Sequence, residues 1–309
     1  MSMSLGLTTR HPPPILIFGA LILVQVLFGV NYVVSKVLVE HFPPLVWASL
    51  RLFVAAGMMM GVAFASGRAR PQASRKFFVP LIGFSLLGII LNQGAFLLGL
   101  SYTTATNSAV LNTLIPIFTL LIVTLRGQEP FTVPKAIGFV AALLGVLVIR
   151  RVDQLSISDK TLVGDLLTMF NCLCYAFFLS YSKPFLEAHD RVWTTAWLFT
   201  YGAVVMPFIA LPSYMKFHWP PMSGTVELCM LFSILGGTIG TYFLNLWALT
   251  YTRSSSVALF IYLQPMVASL VAWVWFGEAA SLRVIISSGL ILIGVLFGLY
   301  GSALSRSRA

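Results

Sequence analysis

Apolar residues are gathered into ten long runs along this chain, separated by short polar connections. A helix needs about 20 mostly apolar residues to cross a bilayer, and each run is close to that length. Backbone groups in lipid must bond within their own segment, and the runs are too long and too uniformly apolar for barrel strands. The pattern predicts an all-α membrane protein with about ten transmembrane helices, near residues 15–38, 45–65, 78–98, 104–125, 134–150, 162–182, 193–213, 225–247, 254–276 and 282–302.

The amino-acid composition agrees with that pattern. Hydrophobic residues make up 58% of the 309 residues and charged residues only 9%, and the mean hydropathy is +0.92. A soluble domain fills its core with far fewer apolar residues. The first apolar run, which follows Arg10, is too long for the core of a secretory signal, so we expect it to be retained as the first helix.

The second half of the chain repeats the first at a shift of 149 residues, without a gap in the matched stretch. Leu100-Ser101-Tyr102-Thr103 returns as Leu249-Thr250-Tyr251-Thr252, and Pro116 returns as Pro265. Five spans per repeat is an odd number, so the second repeat must enter the membrane from the opposite face. Inverted repeats of this kind build many secondary transporters, with the solute site between the halves.

The repeat also predicts how the chain is divided. We expect an N-terminal tail at 1–14, a first five-helix repeat at 15–150, a linker at 151–161, a second five-helix repeat at 162–302 and a C-terminal tail at 303–309. No stretch between the apolar runs has the polar composition of a separate soluble domain.

The net charge of +10 is explained by membrane topology rather than by nucleic-acid binding. With ten spans and the N-terminus inside, twelve basic residues fall on the cytoplasmic side and six on the outer side. Cytoplasmic loops carry an excess of Lys and Arg. The distribution therefore predicts that both termini, and the basic loop at 67–76, lie in the cytoplasm.

Paired motifs in the two repeats resemble the EamA-type ten-helix exporters of the drug/metabolite transporter superfamily over nearly the whole chain. The motifs are Gly29–Lys36, Arg51, Leu100–Ala105 leading to Pro116, Gly127-Gln128-Glu129, and in the second copy Tyr262-Leu263-Gln264-Pro265 and Phe276-Gly277-Glu278. Gln128 departs from the second copy, which has Gly277 at that position. The resemblance implies an exporter of the bacterial cytoplasmic (inner) membrane that moves amino acids or related metabolites, without fixing the substrate.

Polar side chains within the apolar runs are the candidates for substrate binding, because a polar group at membrane depth is costly unless it faces protein or water. The candidates are Gln25, Asn31, Asn92, Gln93, Asn112, Asn171, Tyr175, Tyr242, Asn245, Tyr262 and Gln264. Such residues also bond helices together without any ligand, so a packing role stays open for each of them. Their occurrence on six predicted helices favours a common cavity.

Two prolines at matched positions are candidates for a role in gating. Pro116 and Pro265 lack the amide that would bond to the carbonyl four residues earlier, at Asn112 and Ile261. Each helix should bend there and leave that acceptor free. The bend is either a packing kink or a flexible point in a gate, and its symmetric placement favours the gate.

Three charged residues near the spans have gating or structural roles in this interpretation. Glu129 and Glu278 lie at predicted helix ends, where we expect interfacial positions that fix the turn into the next helix. Arg51 lies deeper, and we expect it to snorkel or to form a pair. Contact with a substrate carboxylate is the alternative for Arg51.

The sequence offers little for catalysis or for a cofactor. The four histidines lie in loops or tails, and no acid, base and nucleophile are grouped, so an enzyme is not expected. The three cysteines fit no metal or redox motif. No phosphate-binding loop of the Walker type is present. We expect no cofactor and no metal, and the expected partners are a small-molecule solute and the lipid bilayer, with monomer and homodimer both open.

These features predict an alternating-access exporter of small metabolites. An interior of amides, hydroxyls and aromatic rings suits amino acids or related neutral, zwitterionic or aromatic compounds. Proton-driven exporters usually need an acid within the membrane, and only Asp165 lies within a span, so we predict a facilitator or exchanger. The alternatives are a proton-coupled antiporter, through Asp165 or the paired Glu129 and Glu278, and a membrane assembly or scaffold protein.

Overall fold

The computed structural model describes residues 12–72, 74–103, 105–149, 159–276 and 282–304, and every regular element in these ranges is helical. The α-helices are α1 (Pro14–His41), α2 (Pro44–Ala65), α3 (Arg75–Ser85), α4 (Asn92–Tyr102), α5 (Ala105–Leu111), α6 (Leu114–Leu125), α7 (Val133–Ile149), α8 (Asp159–Ala188), α9 (Arg191–Tyr214), α10 (Gly224–Ile234), α11 (Thr241–Tyr251), α12 (Ser254–Leu259), α13 (Leu263–Phe276) and α14 (Leu282–Leu304). Glu278, most of the predicted linker and most of both predicted tails lie outside the described residues.

These helices form ten passes at the predicted positions, so the predicted fold class is confirmed. Six segments have the length and apolar composition of a membrane span: Pro14–His41, Pro44–Ala65, Arg75–Tyr102, Leu162–Ala188, Arg191–Tyr214 and Gly224–Tyr251. Four shorter apolar helices, Leu114–Leu125, Val133–Gly145, Ser254–Ala268 and Gly289–Gly301, occupy the remaining predicted spans. The protein is a multi-pass integral membrane protein.

Local sequence sets where several helices begin. Pro14 and Pro44 lie in the first turn of α1 and α2. Amides in the first turn have no acceptor within the helix, so a proline there costs no hydrogen bond. The side chain of Ser74 accepts from the amide of Phe77 at the start of α3. The side chain of Asp190 accepts from two amides in the first turn of α9. These side-chain caps satisfy amides that have no partner within the helix.

The third span of each repeat contains a short π-helix. The two π-helices, Leu86–Leu91 and Leu235–Gly240, occupy the same register of the repeat, because each begins directly after α3 or α10 and ends directly before α4 or α11. Single turns of π-helix occur frequently at functional sites. The apolar pattern of the sequence did not predict them.

The first helix of each repeat packs into the other repeat. α1 contacts α10, α11 and α13, whereas α8 contacts α4 and α6. The two repeats therefore enclose a shared interior between their first helices. This arrangement brings polar residues of both halves together.

The last helices of the repeats, α7 and α14, pack along a seam of glycines. A Cβ atom added to Gly138 would lie 2.4 Å from the backbone nitrogen of Gly298 and 2.6 Å from the carbonyl oxygen of Gly294. Small residues let the backbones of membrane helices approach closely. The glycines of this seam therefore allow α7 and α14 to pack at close range.

The matched prolines do mark irregular helix, but one detail of the expectation is wrong. Before Pro116, a turn at Asn112 and Thr113 separates α5 from α6, and before Pro265 a 3₁₀ turn spans Phe260–Tyr262. The carbonyl of Asn112 is not left free, because the amide of Ile115 donates to it over 3.0 Å. A tighter turn takes up the acceptor that the proline cannot reach.

Candidate solute-binding site

A buried cavity lies between the two repeats, beside α1, α4, α8 and α11. It is lined by Phe28, Asn31, Tyr32, Asn92, Gln93, Phe96, Asn112, Ile115, Asn171, Tyr175, Gly237, Tyr242, Ile261 and Gln264. None of these lining side chains carries a charge at neutral pH. The cavity is a polar and aromatic space within an otherwise apolar helical protein.

One wall of the cavity is a continuous chain of hydrogen-bonded side chains. Gln93 donates through Nε2 to the hydroxyl of Tyr242 over 2.8 Å, and that hydroxyl lies 2.9 Å from Oδ1 of Asn92. Asn92 donates through Nδ2 to Oδ1 of Asn171, which in turn donates through Nδ2 to Oδ1 of Asn112 over 2.8 Å. The chain passes from one repeat to the other at each of these four bonds, so the relative position of the repeats decides whether it is complete.

A second pair of bonds forms the opposite wall. The hydroxyl of Tyr32 donates to Oε1 of Gln264 over 2.9 Å, and Nε2 of Gln264 donates to Oε1 of Gln25 over 2.7 Å. Tyr32 and Gln25 belong to α1, whereas Gln264 belongs to α13. The first helix of one repeat is thus bonded to the fourth span of the other.

The structure brings together eight of the eleven residues that the sequence indicates as candidates for substrate binding. Asn31, Asn92, Gln93, Asn112, Asn171, Tyr175, Tyr242 and Gln264 line the cavity. Their contact with a solute stays a prediction.

The other three candidates are buried behind the cavity lining. Gln25 supports Gln264, as described above. Asn245 donates through Nδ2 to the hydroxyl of Tyr175 over 2.6 Å and so stands one side chain away from the cavity. Tyr262 is fully buried with its ring edge-to-face against Phe139. These three residues are positioned to support the site rather than to line it.

Sequence reasoning found Tyr175 and Tyr242 but missed three other aromatic residues of the lining. Phe28, Tyr32 and Phe96 were not among the candidates, yet all three line the cavity, and the rings of Tyr32 and Phe96 meet edge-to-face at 5.5 Å. An aromatic residue in an apolar helix has the same appearance in sequence whether it packs in a core or faces a cavity. The available signal was the position of Tyr32 next to Asn31.

The cavity is small in this structure. Its volume is about 50 Å³, which is enough for a few water molecules. Sites for small-molecule ligands are roughly 300–1,000 Å³. A metabolite therefore requires the walls to separate, which is what a change in the relative position of the two repeats would do.

Arg51 stands behind the hydrogen-bonded wall. It is fully buried on α2, and its Nη2 donates to Oε1 of Gln93. The expectation of snorkelling is wrong, because a side chain that is 1% exposed does not reach the membrane surface. No described carboxylate pairs with Arg51.

Glu129 connects the two repeats at one end of the molecule. Its Oε1 accepts from the backbone amide of Ser255 over 3.1 Å, and its Oε2 accepts from the Ser255 hydroxyl and from Nζ of Lys135. Ser255 lies in the first turn of α12, where a carboxylate is favoured by the unpaired amides. Glu129 is buried between these partners in the turn from α6 to α7, and its role in fixing that turn stays a prediction.

The described residues show no grouping suited to a metal ion. No set of three or more His, Cys, Asp or Glu side chains converges within the described ranges. All three cysteines are free thiols. The cavity offers amide, hydroxyl and ring contacts, which bind and orient a molecule without reacting with it.

A shared uncharged cavity between two inverted five-helix repeats is typical of one class of protein, the membrane transporters. The sequence profile described as the EamA-like transporter family matches residues 15–151 and 162–300. This chain belongs to the EamA-like transporter family, and it is a membrane transporter of that type.

Individual relatives agree with this assignment. The chain is 25% identical to the uncharacterized transporter YoaV of Bacillus subtilis, over 91% of this chain and 95% of that protein. It is 22% identical to the protein WALLS ARE THIN 1 of Arabidopsis thaliana, over 86% of this chain and 77% of that protein. A solved crystal structure that is 14% identical superposes with a TM-score of 0.74 and covers 94% of this chain and 97% of its own. That last similarity shows the fold alone.

Proposed function

We propose that the protein exports small metabolites, namely amino acids or related neutral, zwitterionic or aromatic compounds, by alternating access. The observation that carries this proposal is the composition of the cavity, in which amides and aromatic rings from both repeats surround an uncharged space. Such a lining suits a solute with both polar and apolar groups. The amides can form hydrogen bonds with its polar group, and the aromatic rings can pack against its apolar group.

The geometry supports a cycle in which the two repeats move relative to each other. The amide chain and the Tyr32–Gln264 bond both join one repeat to the other. When the repeats separate, these polar groups lose their hydrogen-bond partners, and a bound solute can replace those partners. Solute binding therefore favours the separated arrangement of the repeats. We place the protein in a bacterial cytoplasmic membrane with both termini inside, on the charge distribution of its loops.

Solute flux through reconstituted vesicles tests the proposal. Purified protein is incorporated into liposomes, and the release of preloaded radiolabelled amino acids is measured against empty liposomes. Asn171→Leu should lower the initial rate at least tenfold, because it interrupts the amide chain while keeping the number and branching of the side-chain heavy atoms. Protein-containing vesicles that release no member of a broad metabolite panel would favour the assembly or scaffold alternative.

A control variant separates solute binding from general damage. Thr195→Val removes a hydroxyl that is buried to a similar extent, but among the described residues that hydroxyl donates to the carbonyl of Arg191 within its own helix. We expect flux close to that of the wild type. Equal loss in both variants would indicate that Asn171 acts through folding.

A proton-coupled antiporter is the second candidate, and Glu129 favours it. This carboxylate is buried and binds both repeats at once, through Lys135 of the first and Ser255 of the second. Protonation of Glu129 would weaken its contacts with Lys135 and with Ser255. Proton binding at this residue would thereby be coupled to a change in the relative position of the repeats. The described structure also keeps Asp165 within α8.

A further inference from the structure

Arg51 is a buried cation without a counter-ion among the described residues. Its Nη2 donates to Oε1 of Gln93, its Nε has no partner, and no described carboxylate lies within ion-pair distance. Buried charges in proteins are usually paired with an opposite charge. The guanidinium group stays protonated in proteins. Within the described ranges this positive charge is therefore not balanced by an anion, and it lies one side chain behind the cavity.

Arg51 also fixes the direction of the hydrogen-bonded wall. A guanidinium group only donates, so the oxygen of Gln93 must face Arg51 and its nitrogen must face Tyr242. The oxygen of Tyr242 therefore accepts, and its proton is left for Oδ1 of Asn92 or for the carbonyl of Gly88. Tyr242 therefore accepts from Gln93 and cannot donate to it.

The same direction continues along the wall. Asn92 donates to Asn171, Asn171 donates to Asn112, and Asn112 donates to the carbonyl of Ser108 over 2.8 Å. Each of these side chains accepts from the member nearer to Arg51 in the chain and donates to the next, and Tyr242 donates either to Asn92 or to the carbonyl of Gly88. Hydrogen bonds ordered in this way polarise one another, so the positive potential of Arg51 reaches the cavity wall through Gln93 and Tyr242.

We propose that Arg51 is a positioning residue that selects solutes by charge: through Gln93 and Tyr242 it makes the cavity favour a carboxylate group and disfavour an amine cation. The inference rests on the proposed function and names the solute class of that site. It excludes cationic amines, which the aromatic lining alone would attract through the faces of its rings. The solute is therefore an anion or a zwitterion with an apolar or aromatic group.

Three molecules that differ only in charged groups test the inference. Hydrocinnamate carries a carboxylate, phenethylamine carries an ammonium group, and L-phenylalanine carries both on the same phenyl framework. Equilibrium binding of each radiolabelled molecule is measured on the purified full-length protein in detergent. The wild type should bind hydrocinnamate and phenylalanine at least tenfold more tightly than phenethylamine, as expected for a unit charge roughly 10 Å away at an effective dielectric constant of about 20.

Substitutions of Arg51 should change the preference rather than binding in general. Arg51→Met is expected to lower the ratio of hydrocinnamate to phenethylamine affinity about tenfold, whereas Arg51→Lys keeps a cationic donor and should retain most of the ratio. Gln93→Glu is a second variant, which leaves Arg51 in place and neutralises it with an adjacent carboxylate. It should also lower the ratio, and it carries the test if Arg51→Met does not fold.

The outcomes separate this inference from the proposed function. An unchanged ratio in folded Arg51→Met or Gln93→Glu protein, or a wild type that prefers phenethylamine, would overturn the role of Arg51 while leaving transport intact. A wild type that binds with the expected preference but moves neither these three molecules nor any member of the metabolite panel across vesicles would overturn the proposed export alone.

Discussion

Lys36 and Lys183 make the same contacts in the two repeats. Nζ of Lys36 donates to the carbonyl of Leu100 over 3.2 Å and to that of Thr103 over 2.9 Å. Nζ of Lys183 donates to the carbonyls at the matched positions, Leu249 over 3.3 Å and Thr252 over 2.6 Å. In each repeat, a lysine of the first helix thus donates to the last carbonyls of the third span of the same repeat. A cation is favoured there, because the C-terminal end of a helix carries partial negative charge.

Replacement of Lys36 should therefore destabilise the protein. We expect Lys36→Met to lower the free energy of unfolding by about 1–2 kcal/mol, since it removes charge-assisted bonds at a helix C-terminus. Denaturant titration in detergent micelles measures the effect. Lys216→Met, at an exposed position after α9, is the matched control and should change little. Equal stability of the two variants would contradict the capping role.

Glu129 and Lys135 should behave as a coupled pair. Glu129→Gln leaves the fully buried Lys135 without a counter-ion, and we expect a loss of about 3–5 kcal/mol. The double variant Glu129→Gln with Lys135→Met removes both charges and should recover part of that loss. A double variant that loses the sum of the two single effects would show that the ion pair does not matter.

The glycine seam between α7 and α14 gives a steric prediction. A methyl group on Gly138 would clash with backbone atoms of Gly298 and Gly294. Backbone atoms cannot relieve such a clash by changing rotamer, as a side chain can. Gly138→Ala should lower the free energy of unfolding by about 1–3 kcal/mol. Gly289→Ala in α14 is the control, because nothing lies within 4 Å of its Cβ position. Its helix propensity should leave stability equal or slightly higher.

The basic loops predict the orientation of the chain. Green fluorescent protein fused after Ala309 should fluoresce, because it matures in the cytoplasm, and alkaline phosphatase at the same position should be inactive. Cell fluorescence and phosphatase activity are compared at equal expression. The opposite pattern would reverse the orientation and place Glu129 at the outer end.

A facilitator or exchanger should not respond to a proton gradient. Flux into liposomes is expected to be unchanged by a pH gradient of either sign, once the ionisation of the solute itself is controlled. Uphill accumulation driven by the gradient, and lost in Asp165→Asn, Glu129→Gln or Glu278→Gln, would establish the antiporter alternative.

Most of the fold follows from the sequence because its determinants are local. Ten apolar runs determine ten spans, and the odd number per repeat determines the inversion. The site is predictable in part, since Asn92, Asn112 and Asn171 are conspicuous as amides in apolar helices, and the structure places all three in one chain.

The remaining features depend on contacts between distant parts of the chain. Glu129 is buried because Ser255, in the other repeat, supplies its partners. The aromatic lining residue Phe28 cannot be distinguished in sequence from a core residue. The two π-helices are defined by which backbone carbonyl each amide bonds to, and the hydrophobic pattern of the sequence does not predict that hydrogen bonding.

The matched π-helices also bring backbone to the solute site at equivalent points of the two repeats. Single π-helical turns are rare and occur frequently at functional sites. Gly88 and Gly237 occupy matched positions within Leu86–Leu91 and Leu235–Gly240. The carbonyl of Gly88 accepts from the hydroxyl of Tyr242, and Gly237 lines the cavity. Each half therefore contributes main-chain atoms as well as side chains to the site, through the one irregular turn that the two third spans share.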